Sequence, residues 1–134
     1  MIDYLTAVLP ATHPLAKADN LPFEQLRGET FLLFPEHSFI NDLCIRECRN
    51  AGFEPHIAYT GNRGATLIDL VRNGAGITLM MHHSARQEND SSLAFIPVTP
   101  GIYSYISLNY AKEKPLSPQA ESFVRYVKAH KRDF

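Results

Sequence analysis

The sequence predicts an α/β domain, a three-layer sandwich on a parallel-rich sheet, and three observations carry that expectation. Short apolar runs alternate with segments of helical periodicity, strand after helix after strand. The connections between them are short, which favours parallel pairing with right-handed crossovers. The run Phe31–Phe34 is apolar at every position, as a strand covered by helices on both faces must be. A chain of 134 residues that is 45% hydrophobic and 20% charged can bury one core and is not disordered.

The elements follow in order. Tyr4–Leu9 is a short apolar run closed by Pro10 and reads as a strand. A polar connector with two prolines nearby leads to Leu21–Arg27, a single helical turn with Pro22 near its start and Gly28 past its end. Pro35 stops the Phe31–Phe34 strand, and Ser38 is placed to cap a helix over Phe39–Ala51. In that helix Phe39, Leu43, Cys44 and Cys48 recur at helical spacing, and Gly52 supplies the left-handed stop. His56–Tyr59 is the next strand, Thr60–Gly64 a turn, and Leu67, Leu70 and Val71 mark one face of the following helix. Gly74-Ala75-Gly76 ends it, and Ile77–Met81 makes a third buried strand. Arg86–Ser92 reads as a surface loop, Leu93–Val98 as a strand, and Ile102–Tyr110 alternates like a strand with one exposed face. Ser117-Pro118 opens a last helix with Ala120, Phe123, Val124 and Val127 on one face, and Lys128, Lys131 and Arg132 in its final turn suit the helix dipole.

Charge and composition exclude several functions. Lys and Arg total 13 against 14 Asp and Glu, so the chain lacks the basic excess of a nucleic-acid-coating domain. No apolar run reaches the roughly 18 to 20 residues needed to cross a bilayer. Met1–Pro10 has no Lys or Arg to open a secretory signal, and Cys44 and Cys48 form no disulfide framework, so a cytoplasmic location is expected. There is no G-x-S-x-G elbow and no phosphate-cradling glycine loop, and Gly74-x-Gly76 precedes a strand where a dinucleotide fingerprint would follow one. An enzyme is not expected, nor a cofactor.

Five segments taken together carry a resemblance. HPLA (His13–Ala16), LPFEQLRGETFLLF (Leu21–Phe34), AGFEP (Ala51–Pro55), LIDLVRNGAGITLM (Leu67–Met80) and KPLSPQAESFVRYV (Lys114–Val127) resemble, in order and spacing, the effector-binding domain of LysR-type transcriptional regulators. The resemblance implies two subdomains of the type 2 periplasmic-binding-protein kind, joined by two crossovers, with a small-molecule effector in the cleft between them. It implies residues 1–20 as a remnant strand and crossover of the first subdomain, 21–98 as the second subdomain, and 99–134 as a return strand and C-terminal helix of the first. The family's helix-turn-helix, linker helix and opening strands have no counterpart here, so a truncated fragment is expected, touching DNA only through the missing N-terminal domain.

In an open α/β sheet, ligands settle at the carboxyl ends of strands, beside helix N-termini. Two such junctions exist: Glu36, His37 and Ser38 after the first buried strand, and Thr60, Gly61, Asn62 and Arg63 after the second. Both match positions that line the family's cleft, and their hydroxyls, amides and guanidinium suit a carboxylate or similar anion. His82 and His83, at the end of the third strand, face the same rim. Against this stands a plainer reading, in which Ser38 and Asn62 only cap helices and Arg63 is solvated.

Two further readings concern the cysteines. Cys44 and Cys48 with His82-His83 would be a conceivable zinc set, but both thiols sit among core-facing residues and no metal is expected. Some members of the family sense oxidants, yet no basic group is placed to lower a thiol pKa here. A ligand-sensing regulatory module is thus the leading expectation. The alternatives are a stand-alone solute-binding domain, or a dimerisation fragment without a ligand. Self-association is expected, because the end segments would belong to a sheet whose other strands this chain does not encode.

Overall fold

The computed structural model describes residues 1–88 and 90–131. Asn89, within the expected surface loop, and Arg132, expected in the last helical turn, lie outside the described residues. The chain divides into a large unit, residues 3–104, and a small one made of residues 1–2 and 105–134.

The alternation read from the sequence is present in the large unit. β3 (Thr30–Leu33), α1 (Phe39–Asn50), β4 (His56–Thr60), α2 (Gly64–Arg72) and β5 (Thr78–Met81) follow one another with short links. β3 and β4 are parallel, with Thr30 opposite His56 and Leu33 opposite Thr60. Ile77, just ahead of β5, continues the sheet on the other side of β3. Its N–H donates to the Thr30 carbonyl at 2.8 Å, and its carbonyl accepts from Leu32 N–H at 2.8 Å, in a parallel bridge with Phe31. Gly76 permits this approach, because a Cβ there would collide with the Thr30 carbonyl oxygen.

β1 (Ile2–Pro10) corrects the sequence reading. The expectation grouped it, within residues 1–20, with a first subdomain. In the structure it runs antiparallel to β5, with Leu5 opposite Met81 and Val8 opposite Thr78. On its other side it runs antiparallel to β6 (Leu93–Thr99), with Thr6 opposite Pro97 and Pro10 opposite Leu93. The physical reason is burial on both faces: Leu5, Ala7, Val8 and Leu9 are each 1% exposed or less. A strand apolar on both sides needs helices above and below, and only the central sheet offers them. The two-residue β2 (Leu21–Pro22) joins β6 in parallel and leads into a 3-10 turn over Phe23–Leu26. The order is therefore β4-β3-β5-β1-β6-β2, with every strand but β1 pointing the same way.

Period-two alternation sends successive side chains to opposite faces and builds two cores. Leu5, Leu9, Phe31, Leu33, Ile77 and Leu79 pack with Phe23, Leu26, Leu43, Cys44 and Cys48 on the α1 side. Val8, Leu32 and Met80 pack with Leu67, Ile68, Val71 and Ala85 on the other. Helix, sheet and helix make the three layers.

Local differences are instructive. Phe39, expected on the apolar face of α1, is 69% exposed, because it is the first residue of the helix and lies beyond the edge of the core. Ile68 joins Leu67 and Val71 in the core, while Leu70 is only half-buried. His82 and His83 open a short helix, α3 (His82–Arg86), where a strand end and loop were expected. Of Ile102–Tyr110 only β7 (Tyr103–Tyr105) is a strand, pairing with β1.

In the small unit, α4 (Pro118–Ala129) starts as the sequence indicates, with the Ser117 hydroxyl accepting from Ala120 N–H at 3.2 Å and Pro118 in the first turn. None of its residues is fully buried; Phe123 and Tyr126 are exposed, as are Ile106, Leu108 and Tyr110.

Candidate functional site

Parallel strands put their carboxyl ends on one edge of the sheet. Because β3 lies between β4 and Ile77–β5, the segments after Leu33, Thr60 and Met81 all emerge there, with the start of antiparallel β1. The topology thus brings the three expected segments to a common rim.

The first is the most constructed. Phe34 follows the strand, the Ser38 N–H closes a turn onto the Pro35 carbonyl at 3.1 Å, and His37 sits at φ 65°. A left-handed non-glycine residue costs free energy and is held by its surroundings. Here the turn is fixed on both sides. The Ser38 hydroxyl accepts from Asn41 N–H at 3.3 Å, capping α1, and the Asn41 side chain donates from Nδ2 to the Phe34 carbonyl at 2.8 Å. Asn41 is only 1% exposed and ties the helix to the strand end.

Between α1 and the outer strand β4 opens a cavity of about 430 Å³, a size within the usual range for small-molecule sites. Of the residues expected from the sequence, Glu36, His37 and Thr60 line it. Asn41, Asp42 and Ile45 of α1 do so as well, with Ile57, Ala58 and Tyr59 of β4, none of which the sequence singled out. A polar Asn-Asp pair in the first turn of a helix reads as capping chemistry, and the exposed outer face of β4 is set by its place at the sheet edge.

The other expected residues are placed differently. Ser38 caps, as the plainer reading had it. Gly61 N–H donates to the Leu33 carbonyl at 3.0 Å, and the Tyr59 ring covers Gly61 so closely that a Cβ there would strike it. The residue that caps α2 is Arg63 and not Asn62, through backbone geometry alone and without a side-chain bond. Asn62 and Arg63 are exposed and do not line the cavity. His82 turns to β1: its ring stacks on Tyr4 at 4.4 Å between centroids, and its Nδ1 lies 3.4 Å from the Thr6 hydroxyl. Burial first, then the nearby Arg86 cation, hold the imidazole below its ordinary pKa, while Asp3 pulls the other way. Asp3 accepts from the backbone N–H of both Tyr4 and His83, fastening the start of α3 to β1.

The cysteines belong to the core. Both are free and buried, and burial, with nearby Glu47, pushes both thiols well above the ordinary range, Cys48 to about 12. Such thiols are poor nucleophiles and poor metal ligands at neutral pH. Among the described residues, no cluster of three or more His, Cys, Asp or Glu is placed to hold a metal ion, and no helix is long and apolar enough to cross a membrane.

A parallel-rich sheet covered by helices, with a small cavity beside its strand ends, defines an open α/β domain. The family pattern described as "LysR substrate binding domain" matches residues 2–132, and the chain belongs to that family. The transcriptional dual regulator GltC of Bacillus subtilis is 30% identical over 122 residues, covering 90% of this chain and 41% of GltC. The HTH-type regulator YwbI of the same organism is 27% identical over 127 residues, covering 94% of this chain and 42% of the relative. The chain therefore spans about two fifths of these relatives. Among solved structures, the CcmR regulatory domain of Synechocystis, in complex with 2-PG, superposes with a TM-score of 0.77 at 18% identity, covering 96% of this chain and 63% of that one. HinK, a LysR family transcriptional regulator from Pseudomonas aeruginosa, gives 0.75 at 17% identity, covering 94% and 44%. These likenesses show the periplasmic-binding-protein-like fold of LysR effector domains.

Proposed function

We propose that this chain is the ligand-sensing part of a cytoplasmic transcription regulator, without enzymatic activity, whose effector binds at the rim where β3, β4 and β5 end. The observation that carries the reading is the cavity lined by Glu36, His37 and Thr60 at that rim. In a longer protein a second subdomain would close over the rim, and ligand occupancy would bias DNA binding by a separate N-terminal domain. The effector domain of BenM, solved with its effector benzoate, and the CcmR regulatory domain, solved with 2-PG, make a small effector the natural expectation.

A carboxylate or similar anion on that effector has a place beside α2. No side chain caps the first N–H groups of this helix, and Arg63 forms no ion pair among the described residues. Unpaired N–H groups at a helix start and a guanidinium favour an anion together. Self-association is the natural fate of the small unit, where Ile106, Leu108, Tyr110, Phe123 and Tyr126 are exposed.

Calorimetric titration with small dicarboxylates tests the anion reading. Arg63→Gln is expected to weaken binding about fivefold or more, from the loss of a charge-assisted hydrogen bond. Equal affinity in the variant would remove Arg63 from the site.

A further inference from the structure

We propose that His82 is a proton-operated latch on β1, holding the start of that strand when neutral and releasing it when protonated. The chain passes between its two units at Ile2–Asp3 and again at Ser104–Tyr105, so the first large-unit residues of β1 stand at a crossing. Two successive histidines at the start of α3 tie those residues down. Both carboxylate oxygens of Asp3 accept from the His83 N–H, at 3.1 and 3.2 Å. The Tyr4 ring stacks on His82, and the Thr6 hydroxyl lies 3.4 Å from His82 Nδ1.

Thr6 decides which form of the ring fits. The residue is fully buried, and among the described residues its hydroxyl has no partner other than this nitrogen. A buried hydroxyl proton without an acceptor is costly, so the Thr6 hydroxyl donates and Nδ1 accepts. That arrangement exists only for the neutral ring with its proton on Nε2. Protonation puts a hydrogen on Nδ1, turns the acceptor into a donor and strands the Thr6 proton.

The surroundings divide over a charged ring. Burial opposes it most, then the Arg86 cation of α3; Asp3 of β1 favours it, and His83 adds a smaller opposition. The π face of Tyr4 favours it as well. Burial and Arg86 prevail, and the imidazole is held below its ordinary pKa. β5 and β6, which flank β1, carry no ionisable side chain, and β7 carries tyrosines alone. Once the ring is charged, the Asp3 carboxylate is drawn towards it and away from the His83 N–H, so both ties weaken together. The folded-state midpoint lies below the unfolded one. The hold is therefore complete above pH 6.5 and is lost as the pH falls to that lower midpoint.

Histidine titration by NMR on the whole, ligand-free chain tests the latch, with the His82 signal assigned from His82→Gln. The His82 midpoint should lie below 6.5. Passing below it should lower the hydrogen-exchange protection of the Leu5 and His83 amides about fivefold, as for the loss of one hydrogen bond. The first of these amides donates to the Ile102 carbonyl at 2.8 Å and the second to Asp3. In His82→Gln the protection should show no step with pH. Thr6→Val keeps the shape and removes the hydroxyl, so it should raise the midpoint, which a ring held by burial alone would not show. If Thr6→Val does not fold, the step in the parent and its absence in His82→Gln decide the matter. A midpoint at or above 6.5, protection that does not change across it, or a step that survives in His82→Gln overturns the latch and leaves the effector rim untouched. So does a folded Thr6→Val whose midpoint stays with the parent's.

Discussion

Substituting Gly76 by alanine probes the junction on which the whole rim depends. Gly76 is not in a left-handed conformation, so alanine meets no backbone penalty there; at such positions Gly→Ala ordinarily stabilises by about 0.4–1 kcal/mol. The structure reverses that sign. The new Cβ would strike the Thr30 carbonyl oxygen, which belongs to the backbone and cannot rotate away. Relief requires β3 and the Ile77–β5 segment to part, straining the hydrogen bonds from Ile77 N–H to Thr30 and from Leu32 N–H to Ile77, each 2.8 Å long. Two weakened bonds at about 1 kcal/mol each, with an overpacking cost of about 1–3 kcal/mol, give a loss of about 3–5 kcal/mol. With a urea m-value of about 2 kcal/mol/M, the midpoint should fall by about 1.5–2.5 M. Gly74→Ala serves as the control. It has φ 80° and nothing within 4 Å of its virtual Cβ, so it should cost only the left-handed penalty of about 1–2 kcal/mol. A Gly76→Ala variant as stable as the parent would refute the β3–β5 approach, and with it the alignment of the three strand ends.

Other consequences are simpler to state. Ser38→Ala removes the hydroxyl that accepts from Asn41 N–H and should destabilise by about 1 kcal/mol in chemical denaturation, with no loss if the cap is absent. Cys44 and Cys48 should resist Ellman's reagent in the native state at pH 8 and react only on unfolding; prompt reaction of either would contradict their burial. Because the folded protein holds Cys48 as a thiol, raised from 9.0 to about 12, that stabilisation is full below pH 9.0 and is lost as the pH climbs through about 12. A denaturation midpoint that rises with pH above 9 would reverse the sign. The exposed Ile106, Leu108, Tyr110, Phe123 and Tyr126 should drive self-association, so light scattering should report more than a monomer. Phe123→Ser with Tyr126→Ser should return it towards one; a monomeric parent would contradict this.

The sequence carried the local grammar of the large unit well. Helical periodicity, Ser38 as a cap and Gly52 as a left-handed stop at φ 88° all act within a few residues, and the structure has each of them. The place of β1 was not legible, because its partners β5 and β6 lie some seventy or more residues away along the chain, and an apolar run does not name its neighbours. α3 escaped because five residues with only Ala85 buried leave no period to read. At the rim, the rule that ligands meet strand ends, which needs only the order of elements, singled out Glu36, His37 and Thr60, and these three line the cavity. Asn41 and Tyr59 were not, since one depends on a tether to the Phe34 carbonyl and the other on the sheet edge.

The central claim, that the strand-end rim is where an effector binds, is tested most directly by amide chemical-shift mapping of the isotopically labelled chain against a library of small metabolites. A binding metabolite should move the resonances of residues 36–42 and 57–63, the two walls that the topology brings together, and leave those of the sheet's opposite edge unchanged. A ligand that binds while perturbing neither segment would contradict the account.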